Sequence, residues 1–146
     1  MSTSENHEES KQYEVDRVAE FDRQMKTFVK KKKFFSLPGQ IEELIEKFEK
    51  GEFNGDRIAH CDSPISYDIY KVRLPNPDAD AGKSGGYRVL YLVVTEAKIV
   101  VLLTIFYKKE LPDVTDTYIQ WLIDGYFLGS LPQDEDDVDT SSNADY

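Results

Sequence analysis

The chain has 146 residues, of which 32% are charged and 40% hydrophobic, a composition typical of one folded domain. A single cysteine, Cys61, and only two histidines exclude an internal disulfide framework and a multi-cysteine zinc site. No apolar run approaches the roughly 20 residues of a membrane span, and the polar, acidic start has no signal-peptide character. These features predict a cytoplasmic protein without a membrane partner.

The net charge of −10 is distributed unevenly along the chain. Residues 1–12 carry three glutamates against one lysine, and residues 131–146 carry five aspartates, one glutamate and no basic residue. Both ends lack periodic apolar residues, so we predict disordered acidic tails at 1–12 and 131–146 around a folded domain at 13–130. Within that domain, residues 23–33 hold six basic residues and no acid. Because local fields decide where anions bind, the total charge does not exclude a phosphate-bearing partner.

The first half of the domain predicts a strand followed by a helical hairpin. Residues 13–18 alternate weakly, as a short edge strand does. Two apolar faces with helical spacing follow, formed by Phe21, Met25, Phe28 and Val29 and by Ile41, Leu44, Ile45 and Phe48. Residues 30–33, all lysine, fall in the last turn of the first helix, where cations suit the helix dipole. Ser36 is positioned to cap the second helix and Gly51 to end it.

The second half predicts three consecutive strands and a closing helix. Residues 51–67 are interpreted as a loop, because they combine glycine, proline and several aspartates. Strands are predicted at 68–74, 87–94 and 99–107, the last of them apolar enough to be buried on both faces. Asp113 is positioned to cap the last helix. The predicted apolar face of this helix is formed by Val114, Tyr118, Leu122 and Tyr126, and Gly125 or Gly129 is predicted to end it.

The predicted fold class is therefore α+β, with the element order β-α-α-β-β-β-α. The short loops between the last three strands favour antiparallel neighbours, which gives an antiparallel-rich sheet. The helical hairpin must cover one face of that sheet. We expect the other face to remain partly open and to carry polar alternates.

Three basic residues of the predicted sheet form the first candidate site. Lys71 and Arg73 are two positions apart on one strand, so both side chains point the same way. Antiparallel pairing would bring Arg88 of the next strand close to them. From the spacing alone, a solvated strand face is the preferred explanation of such alternation, and a phosphate-binding face is the alternative.

Further basic residues lie in the connections between the predicted elements. Gly82, Gly85 and Gly86 permit a close backbone approach around Lys83, although the spacing is not that of a Walker loop. Lys108 and Lys109 follow the last strand, and the lysines at 30–33 end the first helix. Each of these groups is also explained as a solvated surface, and no cluster has metal-ligand spacing.

Several segments together resemble the RelE/ParE toxin superfamily. They are YKVRL at 70–74, GKSGGYRVLYLV at 82–93 and IVVLLTIFYKKE at 99–110, followed by the closing helix. The similarity covers residues 13–125 and is greatest to the RelE and HigB branches, whose element order is the one predicted above. It implies a RelE-like fold and the toxin of a type II toxin–antitoxin pair, which cuts mRNA on the ribosome without a metal or small-molecule cofactor. The implied partners are a cognate antitoxin protein and ribosome-bound mRNA.

The resemblance also implies roles for individual residues. Its basic strand positions fall on Lys71 and Arg73, the arginine of its G-Y-R strand on Arg88, and its final basic position on Lys109 or, less well, Lys108. Cleavage through the 2′-hydroxyl needs a base, cations for the phosphorane and an acid for the leaving oxygen. We assign Lys71 as the base, Arg73 and Arg88 to the phosphate, and Lys109 as the acid or a second clamp. The RNA-binding candidates are Lys30, Lys31, Lys83, Tyr87 and Lys108, with Tyr87 positioned to stack on a base or to pack in the core.

Two other functions remain open on the sequence. One is a ParE-like inhibitor that binds DNA gyrase without catalysis. The other is an inactive homologue that binds only an antitoxin and DNA. The basic trio favours cleavage, because a pure binder does not need it.

Overall fold

The computed structural model describes residues 11–128. The predicted tails, 1–12 and 131–146, therefore lie outside the described residues apart from two positions. The chain divides into two compact units, Met1–Asp113 and Val114–Tyr146. Between residues 11 and 128, no helix combines the length and apolarity needed to cross a bilayer.

The first unit contains a five-stranded sheet and two α-helices, which confirms the α+β class. The strands are β1 (Glu14–Arg17), β2 (Asp56–Cys61), β3 (Tyr67–Leu74), β4 (Tyr87–Val94) and β5 (Ile99–Tyr107). Helix α1 (Ala19–Lys26) continues as a π-helical turn (Thr27–Lys31), and α2 spans Leu37–Glu49. The described part of the second unit holds α3 (Asp116–Leu128). This architecture is consistent with a RelE-like layout.

The sheet is mixed, with the strand order β1-β5-β4-β3-β2. β1 pairs in parallel with β5, whereas all other neighbours are antiparallel. The prediction that the first strand lies at an edge is confirmed. β5 lies between β1 and β4 and is almost completely buried, as its apolar sequence predicts.

The helical hairpin covers one face of the sheet, as predicted. Phe21 and Phe28 of the first helical segment and Ile41, Leu44 and Phe48 of α2 are buried in this core. They form one cluster with the alternate residues of the central strands, Val72, Tyr87, Val89, Tyr91, Val93, Val100, Leu102, Ile105 and Tyr107. Gly51 follows α2 at φ +85°, the left-handed conformation that a helix-ending glycine adopts.

The expectation of a partly open second face is wrong for the central strands. Leu90, Leu92 and Val101 alternate with the residues facing the helices, and all three are at most 1% exposed. Apolar side chains on both faces of β4 and β5 favour burial on both sides. Of β3, β4 and β5, only β3 carries charged residues at accessible positions on this face, Lys71 and Arg73.

Two local predictions are corrected by the structure. The segment interpreted as a loop at 51–67 contains β2, which alternation could not reveal because five of its six residues are exposed. Helix α3 begins at Asp116 and is capped by Thr115, whose Oγ1 accepts from the amide N–H of Tyr118 at 3.1 Å, so Asp113 is not its cap. Its buried residues are Ile119, Leu122 and Ile123, and Gly125 lies inside it. The sequence did not specify the buried face, because the helix's own apolar residues are distributed around its whole circumference.

Candidate functional site

Two arginines face each other across β3 and β4. Arg73 and Arg88 are direct register partners, and Lys71, paired with Leu90, lies two positions from Arg73 on the same face. Side chains directly opposite on antiparallel strands have Cβ atoms about 4.5–5.5 Å apart. The structure therefore brings together the three basic residues that the sequence places on one face. We call Arg73 and Arg88 the arginine pair.

Arg88 is buried, although it lies on the face of the sheet that was expected to be partly open. Only 6% of the residue is accessible. Its Nη1 donates to the carbonyl oxygens of Lys83 at 2.8 Å and Tyr87 at 3.2 Å, and its Nη2 donates to that of Ser84 at 3.0 Å. The hydrogen bonds to Lys83 and Ser84 hold the buried guanidinium against the loop before β4. Arg88 therefore stabilises the conformation of this loop.

The arginine pair is electrostatically unfavourable without an anion. Burial lowers the pKa of the Arg88 guanidinium, and the charge of Arg73 lowers it further, whereas Asp113 opposes both effects. Like charges directly opposite in a sheet are destabilising. Arg73 is exposed and has no carboxylate partner among residues 11–128. A phosphate beside Arg73 would relieve the repulsion.

Lys71 is engaged by a carboxylate. Its Nζ lies 3.3 Å from Oδ1 of Asp113, and 28% of its side chain is accessible. Asp113, which the sequence suggested as a helix cap, instead follows β5 and turns towards β3. The arrangement places a hydrogen-bond acceptor beside the amine proposed as the base.

The segment after β5 lies against the loop that Arg88 holds. The amide N–H of Lys108 donates to the carbonyl of Gly86 at 2.8 Å. A Cβ added at Gly85 would lie 3.5 Å from Cε of Lys109, so the Lys109 chain runs along this loop. Lys83, Lys108 and Lys109 are exposed. The structure therefore brings three further predicted residues to the end of the sheet that carries the arginine pair.

The lysines after α1 belong to the same surface. Lys32 forms an ion pair with Glu110, which directly follows Lys109. Lys30 and Lys31 are exposed in the π-helical turn. This ion pair joins the lysine run to the segment after β5. We define the basic rim as the exposed lysines of these two segments and of the loop before β4, which are Lys30, Lys31, Lys33, Lys83, Lys108 and Lys109.

Tyr87 cannot stack on a base, which corrects its assignment as an RNA-binding residue. It is 0% exposed, and its ring contacts Phe28, Phe34 and Tyr107 on the helical side of the sheet. Burial also raises the pKa of its phenol above the usual range. Alternation along β4 explains this position, because a residue next to Arg88 must face the opposite side.

Sequence reasoning missed one exposed aromatic side chain at the rim. Phe35 lies between the lysine run and α2 and is 65% exposed. The signal in the sequence was the Phe34–Phe35 doublet, because two consecutive side chains in a turn seldom both reach the core. Phe34 takes the inner position and contacts Phe28, Tyr87 and Tyr107.

A second polar cluster lies at the β2 edge, away from the rim. The His60 ring nitrogens lie 2.6 Å from Asp68 and 2.6 Å from Asp62, and Arg57 also contacts Asp68. Hydrogen bonds to Asp68 and then to Asp62 raise the pKa of His60 above 6.5. Between residues 11 and 128, no group of three or more His, Cys, Asp or Glu residues is arranged to hold a metal ion.

No protein-family model and no curated protein matches the chain at a significant level. The site geometry and the sequence resemblance thus carry the functional argument.

Proposed function

We propose that this protein is a RelE-like toxin that inhibits translation by cutting mRNA on the ribosome. The observation that carries the proposal is the arginine pair, in which an accessible Arg73 stands opposite a buried Arg88 and neither guanidinium forms an ion pair within residues 11–128. Such a pair supplies two positive charges where an RNA phosphate gains charge during cleavage. The basic rim extends the positive surface from this point.

The groups around the pair fit a reaction that uses the RNA 2′-hydroxyl. The 2′-oxygen attacks the adjacent phosphorus, the bond to the 5′-oxygen breaks, and a 2′,3′-cyclic phosphate and a 5′-hydroxyl result. Lys71, in its neutral form, would take the hydroxyl proton, with Asp113 accepting a hydrogen bond from the resulting ammonium. Arg73 would bind the phosphorane, and Lys109 would protonate the leaving oxygen or act as a second clamp.

Arg88 has a different role in this proposal from the one its sequence position implies. Its Nη1 and Nη2 donate to two loop carbonyls, of Lys83 and Ser84, and to the carbonyl of Tyr87 at the start of β4, so it fixes the loop 83–86 and contributes positive charge behind Arg73. Arg73 is therefore the residue to substitute in a test of catalysis, since its exposure leaves the fold intact.

The test maps mRNA ends by primer extension in a cell-free translation reaction. The wild-type protein is expected to produce new cuts at ribosome-occupied codons. Arg73→Ala is expected to lower the cutting rate by roughly 100-fold, the typical cost of one transition-state charge partner. Arg23→Ala is the matched control, because Arg23 is an exposed arginine on α1 whose ion pair with Glu20 is local. Intact mRNA with the wild-type protein, or equal cutting by Arg73→Ala, would reject the proposal.

A second candidate, a binder without catalysis, is favoured by one observation. The proposed base, Lys71, is already paired with Asp113, and Arg88 is buried. Of the four residues assigned to catalysis, only Arg73 and Lys109 are therefore exposed cations without an ion-pair partner within residues 11–128. A ParE-like gyrase inhibitor, or an inactive homologue that binds an antitoxin and DNA, would need no more. Inhibition of gyrase supercoiling with intact mRNA would support the first form. Tight binding of the protein encoded by the adjacent gene with neither effect would support the second.

A further inference from the structure

We propose that Phe35 is a stacking platform for one base of a single-stranded RNA whose phosphates run along the basic rim. The substrate class rests on the proposed function. The platform itself rests on the exposure, support and surroundings of this side chain.

The backbone on both sides of Phe35 is held in place. Phe34 anchors the chain before it, with ring centroids 6.1 Å from Phe28, 6.1 Å from Tyr87 and 5.6 Å from Tyr107. Ser36 anchors the chain after it, because its amide N–H and hydroxyl donate to the Asp78 carboxylate at 2.9 and 3.1 Å. A ring presented by fixed neighbours loses little conformational entropy when a base stacks on it.

The backbone turn directs consecutive phenylalanines to opposite sides. Lys33 has φ +64°, and the amide N–H of Phe35 donates to its carbonyl at 3.0 Å. Phe34 enters the core, and Phe35 remains 65% exposed.

The charge around the platform fits a polyanion. Lys30, Lys31 and Lys33 are exposed and have no carboxylate partner within residues 11–128. Of the acidic groups that contact this segment, Glu110 is paired with Lys32, whereas Asp78 accepts hydrogen bonds from Ser36 and keeps its negative charge. An aromatic face beside unpaired cations is the usual arrangement of a single-strand binding surface.

The platform is connected to the arginine pair by direct contacts. The Lys32–Glu110 ion pair joins the lysine run to the segment after β5. Lys109 of that segment runs along the loop that Arg88 holds. A strand stacked on Phe35 would therefore be guided along the rim towards Arg73. Duplex RNA has no free base face for Phe35, so the platform selects single strands.

Fluorescence anisotropy with a labelled ten-nucleotide single-stranded RNA tests the inference across a salt series, using the full chain. Phe35→Ala is expected to weaken binding roughly 5- to 150-fold, which is the range for one stacked base. Phe35→Tyr keeps an aromatic face and should bind like the wild type, whereas Phe35→Leu keeps only apolar bulk and should bind like Phe35→Ala. Since stacking releases no counterions, Phe35→Ala should leave the salt slope unchanged. Lys31→Ala should reduce that slope by about 0.7.

Several results would overturn the platform. One is wild-type affinity in Phe35→Ala. Another is full rescue by Phe35→Leu, which would indicate an apolar contact without stacking. A third is an equal loss of affinity for a duplex of the same sequence. The mRNA-cutting assay separates this inference from the proposed function. If the wild type cuts mRNA and Phe35→Ala binds RNA normally, the platform alone is wrong. If Phe35→Ala loses single-strand affinity while the wild type leaves mRNA intact, the platform stands and the proposed function is wrong.

Discussion

Replacing Arg88 by alanine separates its structural role from a catalytic one. The substitution removes three guanidinium hydrogen bonds, to the carbonyls of Lys83, Ser84 and Tyr87. A hydrogen bond involving a charged group contributes about 1.5–3 kcal/mol to stability. Lys83 and Ser84 are exposed, so water replaces part of the loss at their carbonyls, and the relief of repulsion from Arg73 offsets another part. We expect a net destabilisation of about 2–4 kcal/mol.

The assay is urea unfolding followed by circular dichroism, with Arg73→Ala measured alongside. Arg73 is exposed, so its removal is expected to change the free energy of unfolding by less than about 0.5 kcal/mol. Arg88→Lys should recover a minor part of the stability, because an ammonium cannot reach the carbonyls with the two-pronged geometry of a guanidinium. Equal stability of Arg88→Ala and the wild type would contradict a structural role of Arg88 and favour a role on the phosphate.

Three further predictions concern the loop, the β2 edge and the acidic end. Alanine at Gly86 would place its methyl 2.1 Å from a β3 carbonyl oxygen, whereas at Gly85 it meets one lysine methylene at 3.5 Å. Gly86→Ala should therefore destabilise by about 2 kcal/mol and Gly85→Ala by far less in the same unfolding assay, and equal values would contradict the geometry. A proton NMR titration should give His60 a pKa above 6.5, and Asp68→Asn should lower that pKa. The stability from this contact is therefore present below pH 6.5 and lost as the pH rises through the folded-state pKa. An unchanged titration in Asp68→Asn would exclude the contact. Residues 131–146 hold six carboxylates and no basic residue, and we expect them to compete with RNA for the basic rim. Removing them should raise RNA affinity most at low salt, and unchanged affinity across a salt series would exclude this competition.

The strands that could be predicted from the sequence are those whose own residues form a continuous run of strand-favouring types. β4 and β5 begin and end where their β-branched and aromatic runs do. β2 could not be predicted, because its exposed residues show no alternation and its strand conformation depends on pairing with β3. Edge strands of this kind are specified by their neighbour in the sheet.

The sequence predicted which residues form the candidate site, but not the burial or the hydrogen-bond partners of their side chains. Spacing placed Lys71, Arg73 and Arg88 on one face, since strand alternation depends only on the backbone. The burial of Arg88 depends on carbonyls of a loop whose path the sequence does not specify. The pairing of Lys71 with Asp113 joins residues 42 positions apart, and local patterns contain no information on such contacts.

The most direct test of the proposed cleavage is the chemistry of the RNA ends made by the wild-type protein in a translation reaction. We expect downstream fragments that begin with a 5′-hydroxyl and upstream fragments that end in a 2′,3′-cyclic phosphate, because the 2′-oxygen is the proposed nucleophile. A single 2′-deoxy substitution at a mapped cut site should abolish cutting at that position and nowhere else. Downstream fragments with a 5′-phosphate, cutting that persists at the deoxy position, or mRNA that remains intact would contradict the proposed cleavage.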